Sequence, residues 1–272
     1  MKRLLAMLLA LMLLAGSACA ETLQDCHRVT ATKKDTKQTN KSVIRLWTLD
    51  TAHDDVDAEL AAITAEYVER LGPTLAKAGN NTSKNSRLEV QVRYSRTGLE
   101  WMSFLVQART TYHRELIGQE FTSRTYNMIT GERVMLTDIF APDSEGWALL
   151  ESAVREQAAA YWPDVAPDAA ALDALCERAA LEQTDFTLHG MSLVLHLHAA
   201  DFYPDKQHLI EVPLYYPDIR QYMTEKAYVE TDNLNYYKTV ALTFDDGPER
   251  TNSTVMLNNL LELGERATFF VL

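Results

Sequence analysis

The sequence is poor in cysteine, in positive charge and in long apolar runs, and each shortage closes off a class of protein. Three cysteines in 272 residues, none in a C-x-x-C arrangement, leave no cysteine-built metal site. Lys and Arg number 26 against 38 Asp and Glu, a formal net charge of -12. That balance argues against nucleic acid or anionic lipid as the main partner and fits neutral or basic ligands. Past residue 20 no stretch is long and apolar enough to span a bilayer. What remains is ordinary for a globular protein: 47% hydrophobic and 24% charged residues exclude a wholly disordered chain. The length suits one large or two medium domains.

The first twenty residues, MKRLLAMLLALMLLAGSACA, read as a secretory signal. Lys2 and Arg3 form a basic start, Leu4 to Ala15 an apolar stretch, and Ala18-Cys19-Ala20 a cleavage site, with the cut expected after Ala20. The competing reading makes Cys19 a lipid anchor, but Gly16 stands where bacterial lipoprotein signals usually carry Leu. The expected location is therefore secreted and extracytoplasmic, and the resemblance given below adds association with the cell wall. Export permits a disulfide between the remaining Cys26 and Cys176, though nothing in their spacing favours one.

Residues 21–41, polar and rich in Lys and Thr, read as a flexible tether, with Lys33, Lys34 and Lys37 as solvated charges. An α+β domain is expected over 42–225. Its first helix shows apolar spacing at Val56, Leu60, Ile63, Tyr67 and Leu71, and Gly72-Pro73 is expected to end or kink it. Segments 87–95, 101–113, 120–128 and 132–140 alternate in the manner of an antiparallel sheet with one face on a core. Two helices follow, 144–162 and 168–181, separated by Pro163 and Pro167. Segments 185–203 and 208–219 read as a closing hairpin, and 226–237 as a linker.

His196 and His198 share one strand face by period two, a legitimate metal-ligand spacing. No third ligand is placed by sequence, and a half-exposed sheet face backed by Leu193, Leu195 and Leu197 is the better account of them. Trp47, Trp101, Trp147 and Trp162 fall within apolar patterns that suit core packing, with sugar stacking as the other use of such rings.

From residue 238 the texture changes. KTVALTF is a mostly apolar run suited to a strand buried on both faces, 253–263 has helical spacing, and ATFFVL is a second such strand. Between them stands TFDDGP, with Asp245 and Asp246 adjacent at the strand's end. Adjacent strand residues point opposite ways, but Gly247-Pro248 lets the backbone turn so that both carboxylates could share a site. Two like charges there need a compensating cation. One Asp could bind a divalent metal while the other acts as base toward metal-bound water. A solvated turn capping a strand is the plainer use of the same residues.

The stretch TFDDG, helix, ATFFV resembles the opening of the polysaccharide deacetylases, the NodB-homology or carbohydrate esterase family 4 enzymes, over about the last 35 residues. The resemblance implies a distorted (β/α) barrel, of which 238–272 would be the first β-α-β piece, and hydrolysis of N-acetyl groups on peptidoglycan or chitin-like sugars. It implies Asp245 as general base and Asp246 as metal ligand, with zinc, cobalt or manganese as the metal. The family's two histidine ligands and its general-acid histidine follow downstream of this motif and are not in the chain, so the expectation is an inactive fragment of such an enzyme. Residues 122–140 and 190–219 resemble the extracytoplasmic domain of PdaC-type peptidoglycan deacetylases and of the lysozyme-sensing anti-sigma factor RsiV. That resemblance implies a non-catalytic module for cell-wall glycan or a lysozyme-like protein.

Overall fold

The structure, a computed structural model, describes residues 26, 28–39, 42–80, 86–232, 242–245, 249, 252–263 and 267–270. The chain divides into two compact units, one ending at Thr231 and one beginning at Asp232. The signal segment, its cleavage site at Ala20 and Cys19 lie outside the described residues.

The first unit is built on a six-stranded sheet in sequential order: β1 (Thr30–Gln38), β2 (Ser42–Asp50), β3 (Ser86–Thr97), β4 (Trp101–Tyr112), β5 (Glu115–Asn127) and β6 (Arg133–Val134). All neighbours are antiparallel except β2 and β3. A parallel pair needs a crossover, and α1 (Asp54–Asn80) supplies it. The five apolar positions expected on α1 are all buried. The helix does not stop at Gly72-Pro73, because the stripe continues one turn further with Leu75, which is also buried. A proline removes one helical hydrogen bond, and burial on both sides of it keeps the helix running.

Residues 30–38, expected within a tether, instead form the edge strand β1. Its nine residues are all exposed, so backbone pairing with β2 is what orders it. Lys33, Lys34, Lys37 and a register shift between Asp35 and Lys37 guard that edge against further strand addition.

A second sheet is antiparallel, with β7 (Asp185–Leu188), β8 (Ser192–His198) and β9 (Leu209–Tyr215) in order. The expected closing hairpin is thus three strands, with residues 189–191 turning the chain within the first segment. β7 is the open edge of this sheet, and serines of the large sheet seal it. Ser95 Oγ donates to Leu188 O (2.5 Å), Ser103 Oγ accepts from Leu188 N–H (2.8 Å), and Ser123 Oγ donates to Phe186 O (2.8 Å). This corrects the expectation of a sheet with one solvated face. On β4 and β5 the polar alternates Ser103, Ser123 and Thr125 are as buried as the apolar ones, because β7 lies over them.

Two cores result. One joins α1 to β2, β3, β4 and β5 and includes Cys26. The other joins β7–β9 to α2 (Gly146–Tyr161) and α3 (Ala169–Cys176) and includes Cys176, so no disulfide links the two cysteines. Asp168 caps α3, its Oδ1 accepting from the N–H groups of Ala170 and Ala171 at 3.0 and 3.1 Å. Trp101 and Trp147 are core residues. A final helix, α4 (Glu225–Thr231), returns to the β3–β4 turn. There the buried Glu230 carboxylate accepts from the N–H groups of Leu99 (2.9 Å) and Glu100 (3.0 Å). Gly98 occupies the turn at φ +65°, where a Cβ would collide with Glu230.

The second unit holds β10 (Thr243–Asp245), α5 (Asn252–Leu263) and β11 (Thr268–Phe270). The expected α+β domain followed by the start of a (β/α) barrel is corrected here. The strands are three residues each and form a two-stranded parallel sheet with each other. Parallel sheets survive by covering both faces, whereas Leu257, Leu261, Leu263 and Phe270 are exposed. What the structure supports is a mixed six-stranded sheet, two small sheets and their helices.

Candidate functional site

A polar concavity lies on the open edge of β5. β6 covers β5 only at Thr125 and Tyr126, which leaves the earlier half of the strand unpaired on that side. Ser123 N–H leaves the sheet to reach Asp185 Oδ2 (2.8 Å). By antiparallel alternation the N–H and C=O groups of Gln119 and Phe121 face the same open edge. The C-terminal half of α1 borders one side, through Leu71 and Thr74, and the end of β8 with the turn after it borders the other. The space between is a cleft of about 330 Å3, continuous with a smaller recess through Gln119, His198, Ala200 and Gln207.

Residue by residue, the cleft is polar with one aromatic wall. Gln119, Phe121 and Ser123 point to one face of β5 by period two. Phe121 is buried, and the His198 ring stacks on it with centroids 3.7 Å apart and planes 14° from parallel. A half-exposed imidazole backed by a buried ring is a rigid, flat platform. On the opposite face of β5, Glu120 pairs with Arg70 (3.2 Å), and Arg70 is also held by Glu66. Tyr67 Oη donates to Thr122 Oγ1 (2.5 Å), and burial pushes the phenol up to about 12. Helix and strand are thereby fixed to one another along this border.

The aromatic wall extends outward through His208, which lines the recess. Its ring lies 5.8 Å from that of Trp162, and Trp162 packs edge-on against Tyr203 at 4.9 Å. Lys206 Nζ sits 5.3 Å from the Trp162 ring centre. Trp162 is therefore half-buried, packed against the core that holds Trp101 and Trp147 and flanked by other aromatics.

The two strand histidines share a face, as their spacing requires, but they have different surroundings. His196 is buried between the sheets, its Nε2 2.8 Å from Thr187 Oγ1, and burial holds its pKa down at about 3. Thr187 Oγ1 also lies 2.9 Å from His189 Nε2. A hydroxyl has one proton to give and two lone pairs, so at most one of the two imidazoles accepts from it and at least one donates. His196 is thus a structural base and His198 a cleft wall. Among the described residues no three His, Cys, Asp or Glu side chains converge as a metal site. Asp245 stands at the exposed end of β10, and Asp246 lies outside the described residues.

Gln119, Phe121, Asp201, Gln207 and His208 were not singled out by sequence. They come from strand, turn and loop segments that share no motif, and only the fold assembles them.

No protein-family model and no curated protein matches the chain. Solved structures similar to it include a DUF3298 family protein from Pseudomonas aeruginosa PAO1, at 12% identity and TM-score 0.43, covering 74% of this chain and 94% of that one. Another is a DUF3298 family member from Bacteroides fragilis NCTC 9343, at 11% identity and TM-score 0.44, covering 77% and 99%. The resemblance to the polysaccharide deacetylases is corrected by these findings. The similar structures are DUF3298 proteins, which are not NodB-type deacetylases, and no family or curated match supports a deacetylase.

Proposed function

We propose that the chain is an exported, non-catalytic recognition module whose β5-edge cleft binds a saccharide of the cell wall. The single observation that carries this reading is the cleft's composition. It has a rigid imidazole platform on Phe121, the amides of Gln119 and Gln207, and unpaired backbone groups of a strand edge. A sugar ring presents apolar C–H faces, which suit flat aromatic surfaces, and a dense fringe of hydroxyls, which suit amides and backbone groups. A volume of about 330 Å3 falls at the lower end of the range for small-ligand sites and suits a short saccharide. The leader-like first twenty residues support export.

The test is titration of the purified protein with N-acetylglucosamine oligomers and soluble peptidoglycan fragments, followed by calorimetry. Saturable binding is expected, with His198→Ala weakening it roughly ten-fold through loss of the platform. Binding that His198→Ala leaves unchanged would place the ligand elsewhere and defeat the reading.

A further inference from the structure

We infer that the ligand is a length of polymer: the saccharide chain leaves the cleft across the recess and runs over a second aromatic subsite formed by His208 and Tyr161. This rests on the saccharide reading above and adds the size of the ligand. The recess that continues the cleft is lined by Phe121, His198 and His208, so the first platform and His208 border one space. His208 is exposed, and its ring stands 5.8 Å from that of Trp162 at 88°. Tyr161 is the next ring, 4.6 Å from Trp162 at 64° and 37% exposed. The half-buried Trp162 thus carries two exposed rings. Lys206 Nζ lies 5.3 Å from the Trp162 ring centre, so His208 and Tyr161, rather than Trp162 itself, are the rings offered to a ligand. Among the described residues neither the His208 imidazole nor the Tyr161 hydroxyl has a hydrogen-bond partner, so each ring also offers a polar group to sugar hydroxyls.

The fold beneath fixes these rings. Tyr203 packs on Trp162 at 4.9 Å, and its buried hydroxyl donates to Ala158 O of α2 (2.7 Å). Trp162 follows the last residue of α2, and the Val165 N–H closes a turn onto its carbonyl (2.9 Å). His208 O accepts from the Ala199 N–H (3.0 Å), which ties the start of β9 to the turn after β8. Side chains held in this way lose little freedom when a ligand docks, so more of the contact appears as affinity. The rings stand at steep angles to one another and form separate facets, each suited to one sugar of a chain. A sugar whose C–H face packs on one of them gains roughly three-fold to ten-fold in affinity.

The experiment titrates the purified full chain with the disaccharide, tetrasaccharide and hexasaccharide of N-acetylglucosamine by calorimetry. Affinity is expected to rise about ten-fold or more from disaccharide to hexasaccharide. Part of such a rise is statistical, because a longer chain offers the cleft more registers, and every variant keeps that part. The readout is therefore the ratio of hexasaccharide to disaccharide affinity, compared between variants and parent. His208→Ala and Tyr161→Ala are each expected to cut that ratio roughly three-fold. A hexasaccharide that binds the parent no more tightly than the disaccharide overturns the second subsite and leaves the saccharide reading standing. A ratio unchanged in both variants overturns the assignment of these rings in the same way. Failure of all three sugars to bind overturns the saccharide reading and this inference with it.

Discussion

A buried imidazole makes the acid limb of stability depend on single residues. His196 stays neutral in the folded chain because burial opposes its charge, while in the unfolded chain it titrates near 6.5. Its folded pKa is depressed to about 3, so its effect on stability is constant above pH 6.5. Stability is lost as pH falls from 6.5 toward 3, because the unfolded chain takes up the proton first. Between pH 7 and pH 5 the loss from this residue is about 2 kcal/mol. His189, whose pKa burial also lowers, adds to the same limb. The variant His196→Gln removes the titration while keeping a group that can bond Thr187. Urea denaturation at pH 7 and pH 5 is expected to show a smaller pH-dependent loss in the variant, by about 2 kcal/mol. Equal losses in variant and parent would show that His196 does not control the limb.

At the scale of elements, the junction between the sheets is made by hydroxyls rather than by hydrophobic contact alone. β7 needs its outer backbone groups satisfied, and the large sheet supplies serines at the matching positions. Ser103 is the most demanding of these. Its Oγ accepts from the Leu188 N–H and also bonds Thr125 Oγ1 at 2.8 Å. Ser103→Ala leaves a buried N–H without a partner, a loss of about 1–3 kcal/mol. Ser95→Ala removes only a donor to the Leu188 carbonyl, and carbonyls tolerate a lost bond better than N–H groups do. Chemical denaturation is expected to rank Ser103→Ala below Ser95→Ala in stability, and the reverse order would contradict the cap. None of this was readable from the strands themselves. Alternation located β3, β4 and β5 correctly, and helical spacing located α1 with its five core residues. Yet a serine alternating with valine looks the same whether water or another strand lies above it. β1 escaped notice for the opposite reason: TATKKDTKQ has no apolar face, and pairing with β2 orders it without one. The cleft was illegible because its walls come from residues near 71, 119 and 200, which acquire a common meaning only when α1, β5 and β8 converge.

For the whole molecule, the decisive fact is where the cores are. Both hydrophobic clusters are drawn from residues between Cys26 and Ala227, and α4 closes the first unit through Glu230. Among the described residues, none beyond Ala227 belongs to the buried set of either cluster. Among the described residues of the second unit, Leu261 is 80% exposed and Leu263 73%, so α5 removes little of its apolar surface from water. The barrel that the texture change at residue 238 suggested requires covered strand faces, whereas the end residues of β10 and β11 are exposed. Stability of the first unit should therefore be separable from the second. A chain ending after Asp232 retains α4, the Glu230 contacts and both cores. It is expected to melt within a few degrees of the full chain and to keep the saccharide affinity of the β5-edge cleft. Thermal unfolding by circular dichroism, paired with calorimetric titration of the same sugar, checks both parts. A drop in melting temperature of more than about 8 °C would correspond to more than roughly 2–4 kcal/mol in a domain of this size and would show that the second unit stabilises the first.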